Sequence, residues 1–240
     1  VEALFSRFDQ ALREAGFIAM SGRIVDASLV AAPKQRNSEE EKRRVKADES
    51  AKRIWGDKPA RASQKDVCAR WTLIFGRGRK QPDGTRGPDI AIPFFGYKSH
   101  LSIDRGSRFI RKWAATSAVD HDGRMLRRGL IDRSNTASGV WADSTYRSRK
   151  NEAFLQKRGL VSHIHRRRAP GKPFPAHMRK GQVTRSKHRA PVEHVFAFQK
   201  DLCGLLVRTI GIERARMKIG LANILHNINR LAILRRKKAA

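Results

Sequence analysis

From residue 153 to residue 192 the chain carries eleven Lys and Arg and no Asp or Glu, and the run ends on one carboxylate, Glu193. A lone acid in so basic a segment is either a salt-bridge partner or a metal ligand. Pro191 fits the first turn of a helix, where its missing N–H costs nothing. Val192, Val195, Phe196 and Phe198, followed by Leu202 and Leu205, then recur at helical spacing. At about 100° per residue, Arg189, Glu193 and Lys200 fall within roughly 60° of one another, so a carboxylate sits between two cations on one stripe. As a solvated i,i+4 pair, Arg189 and Glu193 would contribute only about 0.3 kcal/mol.

The charge excess runs through the whole chain. Its 240 residues hold 52 Lys+Arg against 22 Asp+Glu, a formal charge of +30. Such an excess calls for a polyanion, nucleic acid before an anionic membrane surface. With 40% hydrophobic residues the chain can build the core of one large domain or two small ones. No apolar run approaches the roughly 18 residues of a membrane span, and no secretory signal pattern opens the chain. Cys68 and Cys203 lack CxxC spacing, cannot make a zinc site alone, and fit a reducing compartment. Val1 stands already inside a helical pattern, which reads as a fragment or an unusual start.

Along the chain, residues 4–16 read as a helix, and 23–31 as a buried strand with Asp26 in its middle. A buried Asp is costly without a partner. Residues 33–89 are polar and rich in Pro and Gly. They read as an insertion of loops and short elements, with a helix over 39–55 and a surface or turn role for Asp66 and Arg70. Residues 94–104 alternate after Gly96, turn at Arg105–Ser107 and return over 108–117, an antiparallel hairpin. A helix follows through Leu130, with Asp122 as its expected N-cap and His121 as a cap or surface residue. Residues 139–143 form a short strand ending in Asp143, where open α/β sheets place chemistry; Asp143 could equally cap the helix that follows, through Gln156. Residues 159–165 read as a strand and Arg166–Pro173 as a basic loop. Helices are expected over 185–203 and 208–236, the last with Ile219, Leu221, Ile224, Leu225, Ile228, Leu231 and Leu234 inside.

This order gives an α/β fold, a mixed sheet flanked by helices. Two carboxylates on strands, Asp26 and Asp143, and one on a helix, Glu193, can meet over the sheet's edge. Three oxygen ligands without a Cys or His framework suit Mg²⁺ or Mn²⁺. Two such ions could activate an attacking oxygen and stabilise the leaving oxygen of a phosphodiester.

At this point the residues resemble a known family, the DDE transposases of bacterial insertion sequences, in the group named after insertion sequence five. The matching words are Ile24–Ala27, Phe95–His100, Val140–Ser148 and Arg189-x3-Glu193-x6-Lys200. The resemblance implies a ribonuclease-H-like fold, with residues 1–22 a remnant of the region before the core and 23–240 the catalytic domain. It implies Asp26, Asp143 and Glu193 as catalytic metal ligands for two Mg²⁺, with Mn²⁺ as substitute. It places Arg189 and Lys200 on DNA phosphate, and the DNA-contacting set extends to Tyr146, Arg147, Arg166, Arg167, Arg168 and Lys187. Double-stranded DNA, both element ends and target, is the implied partner. A homodimer assembled on DNA, acting at the nucleoid in the bacterial cytoplasm, is also implied. Ser186 stands where the wider motif has Tyr, a departure that bears on DNA-end handling rather than metal binding. The alternatives are a truncated remnant that only binds DNA, and a metal-dependent nuclease without strand transfer.

Overall fold

The computed structural model describes all residues except 19–20, 77, 80, 83, 86, 132–137, 168–174 and 240, and the side chains of all the rest except 177, 238 and 239. Elements run in the order α1 (Glu2–Glu14), β1 (Arg23–Ala31), α2 (Glu39–Lys46), α3 (Ala51–Ile54), α4 (Pro59–Ser63), β2 (Arg70–Gly76), β3 (Ile90–Asp104) and β4 (Ile110–Ser117). Then come α5 (Asp122–Met125), β5 (Gly139–Trp141), α6 (Arg149–Lys157), β6 (Val161–Ser162), α7 (Ala176–Arg189), α8 (Pro191–Asp201) and α9 (Ile212–Ala239).

The centre is a ladder of nine residue pairs between β1 and β3, antiparallel from Arg23↔Asp104 to Ala31↔Gly96. The other edge of β3 carries β4, closed by the expected turn: Asp104 Oδ1 accepts from the Gly106 and Ser107 amides at 3.0 and 2.7 Å. On the far side of β1, β5 runs parallel through Arg23↔Val140 and Ile24↔Trp141, and β6 runs parallel to β5. The result is a mixed sheet with helices on both faces.

Strand alternation decides which helices cover which face. Val25 and Val140 point into a core with Leu126, Leu130, Leu155 and Ile164. Their neighbours Ile24 and Trp141 point the other way, onto Phe5, Val192, Val195 and Ile224 of α1, α8 and α9. α1 is locked to the sheet by a buried ion pair as well, with Arg111 Nε donating to Asp9 Oδ1 at 2.6 Å.

The region 33–89 is more ordered than its composition predicts. The helix expected over 39–55 is two, α2 with a Ser38–Glu41 capping box and α3 capped by Ser50, because Asp48 takes a positive φ of 59° between them. β2 is an unexpected strand and pairs with the first half of β3, Arg70↔Gly96 to Gly76↔Ile90. Asp66, read as a surface or turn residue, is buried; it accepts from the Cys68, Ala69 and Gly211 amides and from the Tyr97 hydroxyl. One carboxylate thus ties the insertion to β3 and to the start of α9, and burial pushes the Tyr97 phenol pKa up.

Other boundaries shift for local reasons. The helix expected over 185–203 begins at Ala176 and is divided at Ala190, since Pro191 has no amide to donate. His121, not Asp122, caps α5: its Nδ1 accepts from the Gly123 amide at 3.1 Å. Of the strand expected over 159–165, β6 covers Val161–Ser162, and its backbone hydrogen bonds continue from His163 N to Val140 O and from His165 N to Ala142 O. In α9, Ile219 and Ile224 are buried as expected, but Leu221, Leu225 and Ile228 are about half exposed. The buried face instead carries Asn223, His226 and Asn227. Asn227 explains this: its amide accepts from Ile110 N and donates to Ile110 O, satisfying the edge of β4.

Among the described residues, no helix is long and apolar enough to cross a membrane.

Candidate active site beside two parallel strands

Asp26 lies two residues beyond Ile24, and Asp143 two residues beyond Trp141. Ile24 and Trp141 are the last pair of the parallel β1–β5 ladder. The fold therefore brings Asp26, inside β1, beside Asp143, just past the end of β5, at the carboxyl side of the parallel ladder where open α/β sheets bind ligands. Asp26 shares the face of Ile24 and so looks towards α8. Asp143 leaves β5 and caps the tight turn Ser144–Tyr146, accepting from Thr145 N at 2.7 Å and Thr145 Oγ1 at 3.2 Å. Both readings of Asp143 hold as geometry, strand-end acid and cap, though α6 itself is capped by Ser148.

Glu193, in the first turn of α8, is largely exposed, at 64% of its side chain. Arg189 connects it to the strands. One guanidinium nitrogen donates to Asp26 Oδ2 at 2.5 Å and the other to Glu193 Oε1 at 3.3 Å. Of the sequence-predicted acids, then, Asp26 and Asp143 adjoin and Glu193 is held to Asp26 through Arg189. Among the described residues no three His, Cys, Asp or Glu side chains are grouped closely enough in this conformation to hold one metal ion.

Electrostatics mark Asp26 as the centre. Its pKa rises to about 6: burial is the main cause, opposed by Arg189 and the Ala27 amide and reinforced by Asp143 and Asp122. Asp122 was expected only to cap a helix. Instead it faces this site, with Lys98 Nζ 2.9 Å from its Oδ1 and 2.7 Å from Asp120 O. Asp122, Asp143, Lys98 and Lys200 line one groove, whose opposite wall is the apolar β2–β3 ribbon, including Leu73, Phe75 and Phe94. Sequence reading missed Asp122 and Lys98 as site residues. The available signal was Lys98 itself, a cation inside the word Phe95–His100.

The predicted DNA-contacting residues divide. Lys187, Lys200, Arg166 and Arg167 are exposed. Arg167 Nε donates to Ser144 O at 3.0 Å, which keeps Arg167 beside the turn that Asp143 caps. Arg147 is half-buried and braces the loop, donating to Ile164 O at 3.1 Å and pairing with Glu152 at 3.6 Å. Arg168 lies outside the described residues. Tyr146 is a correction: only 1% of it is exposed, so its side chain lies beneath the acids and offers no surface to a phosphate. Its hydroxyl is buried without a hydrogen-bond partner among the described residues. Its pKa is pushed up by burial and then by Asp26, Asp122 and Asp143.

A family model described as the transposase DDE domain matches residues 19–228. The chain belongs to the transposase DDE domain family. The match spans Asp26, Asp143 and the Arg189–Lys200 stripe of this transposase domain. No curated protein matches it. Among solved structures it is similar to a piggyBac transposase synaptic complex with hairpin DNA, determined by cryo-EM. The identity is 10% and the TM-score 0.42, over 86% of this chain and 46% of that one. The transposase domain thus spans about half the length of that neighbour.

Proposed function

We propose that this transposase domain cuts DNA strands and joins the freed 3′ ends to target DNA, as a member of the group named after insertion sequence five. The observation that carries the reading is that Asp26 and Asp143 each follow by two residues the paired Ile24 and Trp141 of adjacent parallel strands, with Glu193 bridged to Asp26 by one arginine.

The donor chemistry fits two Mg²⁺ or Mn²⁺ ions. Every donor is a hard carboxylate oxygen, and the buried Tyr146 hydroxyl lies under the same acids. Asp26, Asp143 and Glu193 would hold the ions, which when bound would supply activation of the attacking oxygen and stabilisation of the leaving one. The chain's own groups do the rest. Thr145 fixes the Asp143 carboxylate through two hydrogen bonds, so its oxygens are oriented in advance. Arg189 favours the charged form of Asp26 against the burial that opposes it. On engaging a DNA phosphate, Arg189 would give up Asp26 and Glu193, freeing both acids. Lys200, two turns along α8 from Glu193, takes a phosphate across the groove. The +30 charge supplies sequence-independent attraction to duplex DNA. A homodimer on paired DNA ends, at the nucleoid, belongs to the same proposal.

The test uses labelled duplex DNA with Mn²⁺, comparing the parent with Asp26→Asn and Glu193→Gln at low salt and at about 0.2 M salt. Binding should fall steeply with salt in all three proteins, and metal-dependent cleavage should occur in the parent alone. Cut but unjoined DNA would reduce the activity to that of a nuclease. Equal binding without cleavage by any of them would leave a DNA-binding remnant.

A further inference from the structure

We infer that the free edge of β2 is a self-association surface, and that its occupant is β2 of a second copy of this chain, paired antiparallel across a twofold axis. The inference gives a surface to the homodimer of the reading above. Self-association is measured without DNA or metal, so its failure and the failure of that reading are distinct.

The β2–β3 ribbon has the composition of a sheet interior and stands at a sheet edge. Among the described residues β2 pairs with β3 alone, so the backbone groups along its outer side have no strand to meet. Edge strands are ordinarily protected by Lys, by Pro, by a bulge or by shortness. β2 has none of these: it runs seven residues, holds neither Lys nor Pro, and pairs without a register shift. Its side chains are as open as its backbone. Trp71, Leu73 and Phe75 lie on one face and Ile74, with Ile90 and Ile92 of β3, on the other, each between 37% and 63% exposed. A two-stranded ribbon is marginal by itself, whereas three or more strands sustain one another. Two β2 edges brought together make four. Because the same ribbon walls the groove opposite Asp143, the pairing joins two grooves through one sheet.

Charge names the partner. The chain carries +30, so two copies repel across most of their surface. Residues 71–76 and 90–96 contain no charged residue. Arg70, at the base of the ribbon, pairs with Asp48 at 2.7 Å, and Lys34 stays at the rim with its ammonium 5.9 Å from the Trp71 ring. A polyanion gains little from such a patch, while a second copy meets an apolar edge that matches its own. The area is of the right order. At about 200 Å² for a large side chain, six half-exposed ones offer roughly 600 Å² per copy before the backbone is counted, against about 800 Å² per partner in a standard interface. The exposed stripe of α9, Met217, Leu221, Leu225 and Ile228, is the rival surface. It offers less area, its backbone is already paired within the helix, and exposed Arg214 and Lys218 stand beside it.

The experiment measures the mass of the intact chain by sedimentation equilibrium over a range of concentrations, for the parent, Leu73→Lys and Leu225→Lys, with thermal unfolding as a check on folding. The parent should pass from 27.2 kDa to twice that mass as concentration rises. Leu73→Lys should weaken association about thirtyfold or more, the scale of losing an interface hot spot. Leu225→Lys should associate as the parent does. A twofold axis through the middle of β2 sets Leu73 against its own counterpart, at a Cα separation of about 4.5 to 5.5 Å that a disulfide spans. Leu73→Cys should therefore form an oxidised dimer beyond the background that Cys68 and Cys203 give in the parent. A parent that stays at 27.2 kDa at every concentration overturns the proposal, as does dissociation by Leu225→Lys in place of Leu73→Lys. If Leu73→Lys does not fold, absence of the Leu73→Cys crosslink overturns it equally. In a separate DNA-binding arm, loss of binding by Leu73→Lys with its self-association intact assigns the ribbon to DNA and overturns the proposal too.

Discussion

β3 is one strand with two unlike halves. Residues 97–104 lie between β1 and β4, and Leu101, Ile103, Ser99, Ser102 and His100 are wholly buried. Residues 90–96 pair with β2, and there Ile90 and Ile92 are 60% and 49% exposed, while Leu73 and Phe75 of β2 are 56% and 63% exposed. The outer half is the more apolar of the two and yet the more exposed, so hydrophobicity does not decide burial here. Layers do. The inner half has a helix-covered core on each face, whereas the outer half is a two-stranded ribbon whose apolar side chains form the wall of the groove opposite Asp143. The joint is Gly96, where an added Cβ would stand 2.2 Å from Val30 O. Stability is thus concentrated in one half of the strand, while the other serves the groove.

The contrast can be broken by substitution along β3. Leu101→Ala should cost about 3 to 4 kcal/mol, because a fully buried leucine leaves both a transfer loss and a cavity. Chemical denaturation gives the number; a loss under about 1 kcal/mol would mean the inner half is not core. Gly96→Ala should cost about 2 to 3 kcal/mol, since the new methyl meets backbone that cannot retreat without opening the β1–β3 ladder. A pH titration of stability sharpens the same point through His100, whose ring is buried and bonded to Thr116 Oγ1 at 2.8 Å. Burial lowers its pKa to about 4. The unfolded chain takes up that proton near 6.5 and the folded one does not. Stability from His100 is therefore complete above about pH 6.5 and lost as pH falls towards 4, by about 2 kcal/mol at pH 5. Asp26 shifts in the opposite sense over part of that range, so the measurement is the difference in slope between the parent and His100→Gln. The smallest effect belongs to the outer half: Ile92→Ser should change stability by no more than about 0.5 kcal/mol.

The sheet's frame was legible because its strands carry their own signals. Alternation over 97–104, the turn at Arg105–Ser107 and the apolar words around Asp26 and Asp143 are local, and the ladders follow from them. β2 was not legible. Trp71, Leu73 and Phe75 alternate, but the strand exists only because β3 extends past Gly96 to receive it. The packing face of α9 was misread for a related reason: Asn223 and Asn227 look like surface residues until Gln199 and the edge of β4 supply their hydrogen bonds. Asp66 and Asp122 show the limit for acids. A sequence reports a carboxylate and its local turn, while the amide, phenol or ammonium that gives it a role arrives from elsewhere in the chain. For Asp66 the phenol is Tyr97 of β3; for Asp122 the ammonium is Lys98.

The Ala32 amide donates to Phe95 O at 3.1 Å, so the excursion that leaves after β1 returns to its point of departure. A loop closed at its neck enters folding kinetics as one closure event. That closure penalty grows only with the logarithm of length, about 0.6 kcal/mol for each doubling. The junction can therefore host segments of very different size with little thermodynamic consequence. Speed is another matter. Because β1 cannot meet β3 until the whole excursion has been gathered in, the long-range ladder is expected to form late, after the β3–β4 hairpin has nucleated. An abbreviated chain bridged from Ala32 to Phe95 would fold faster far more noticeably than it would fold more stably.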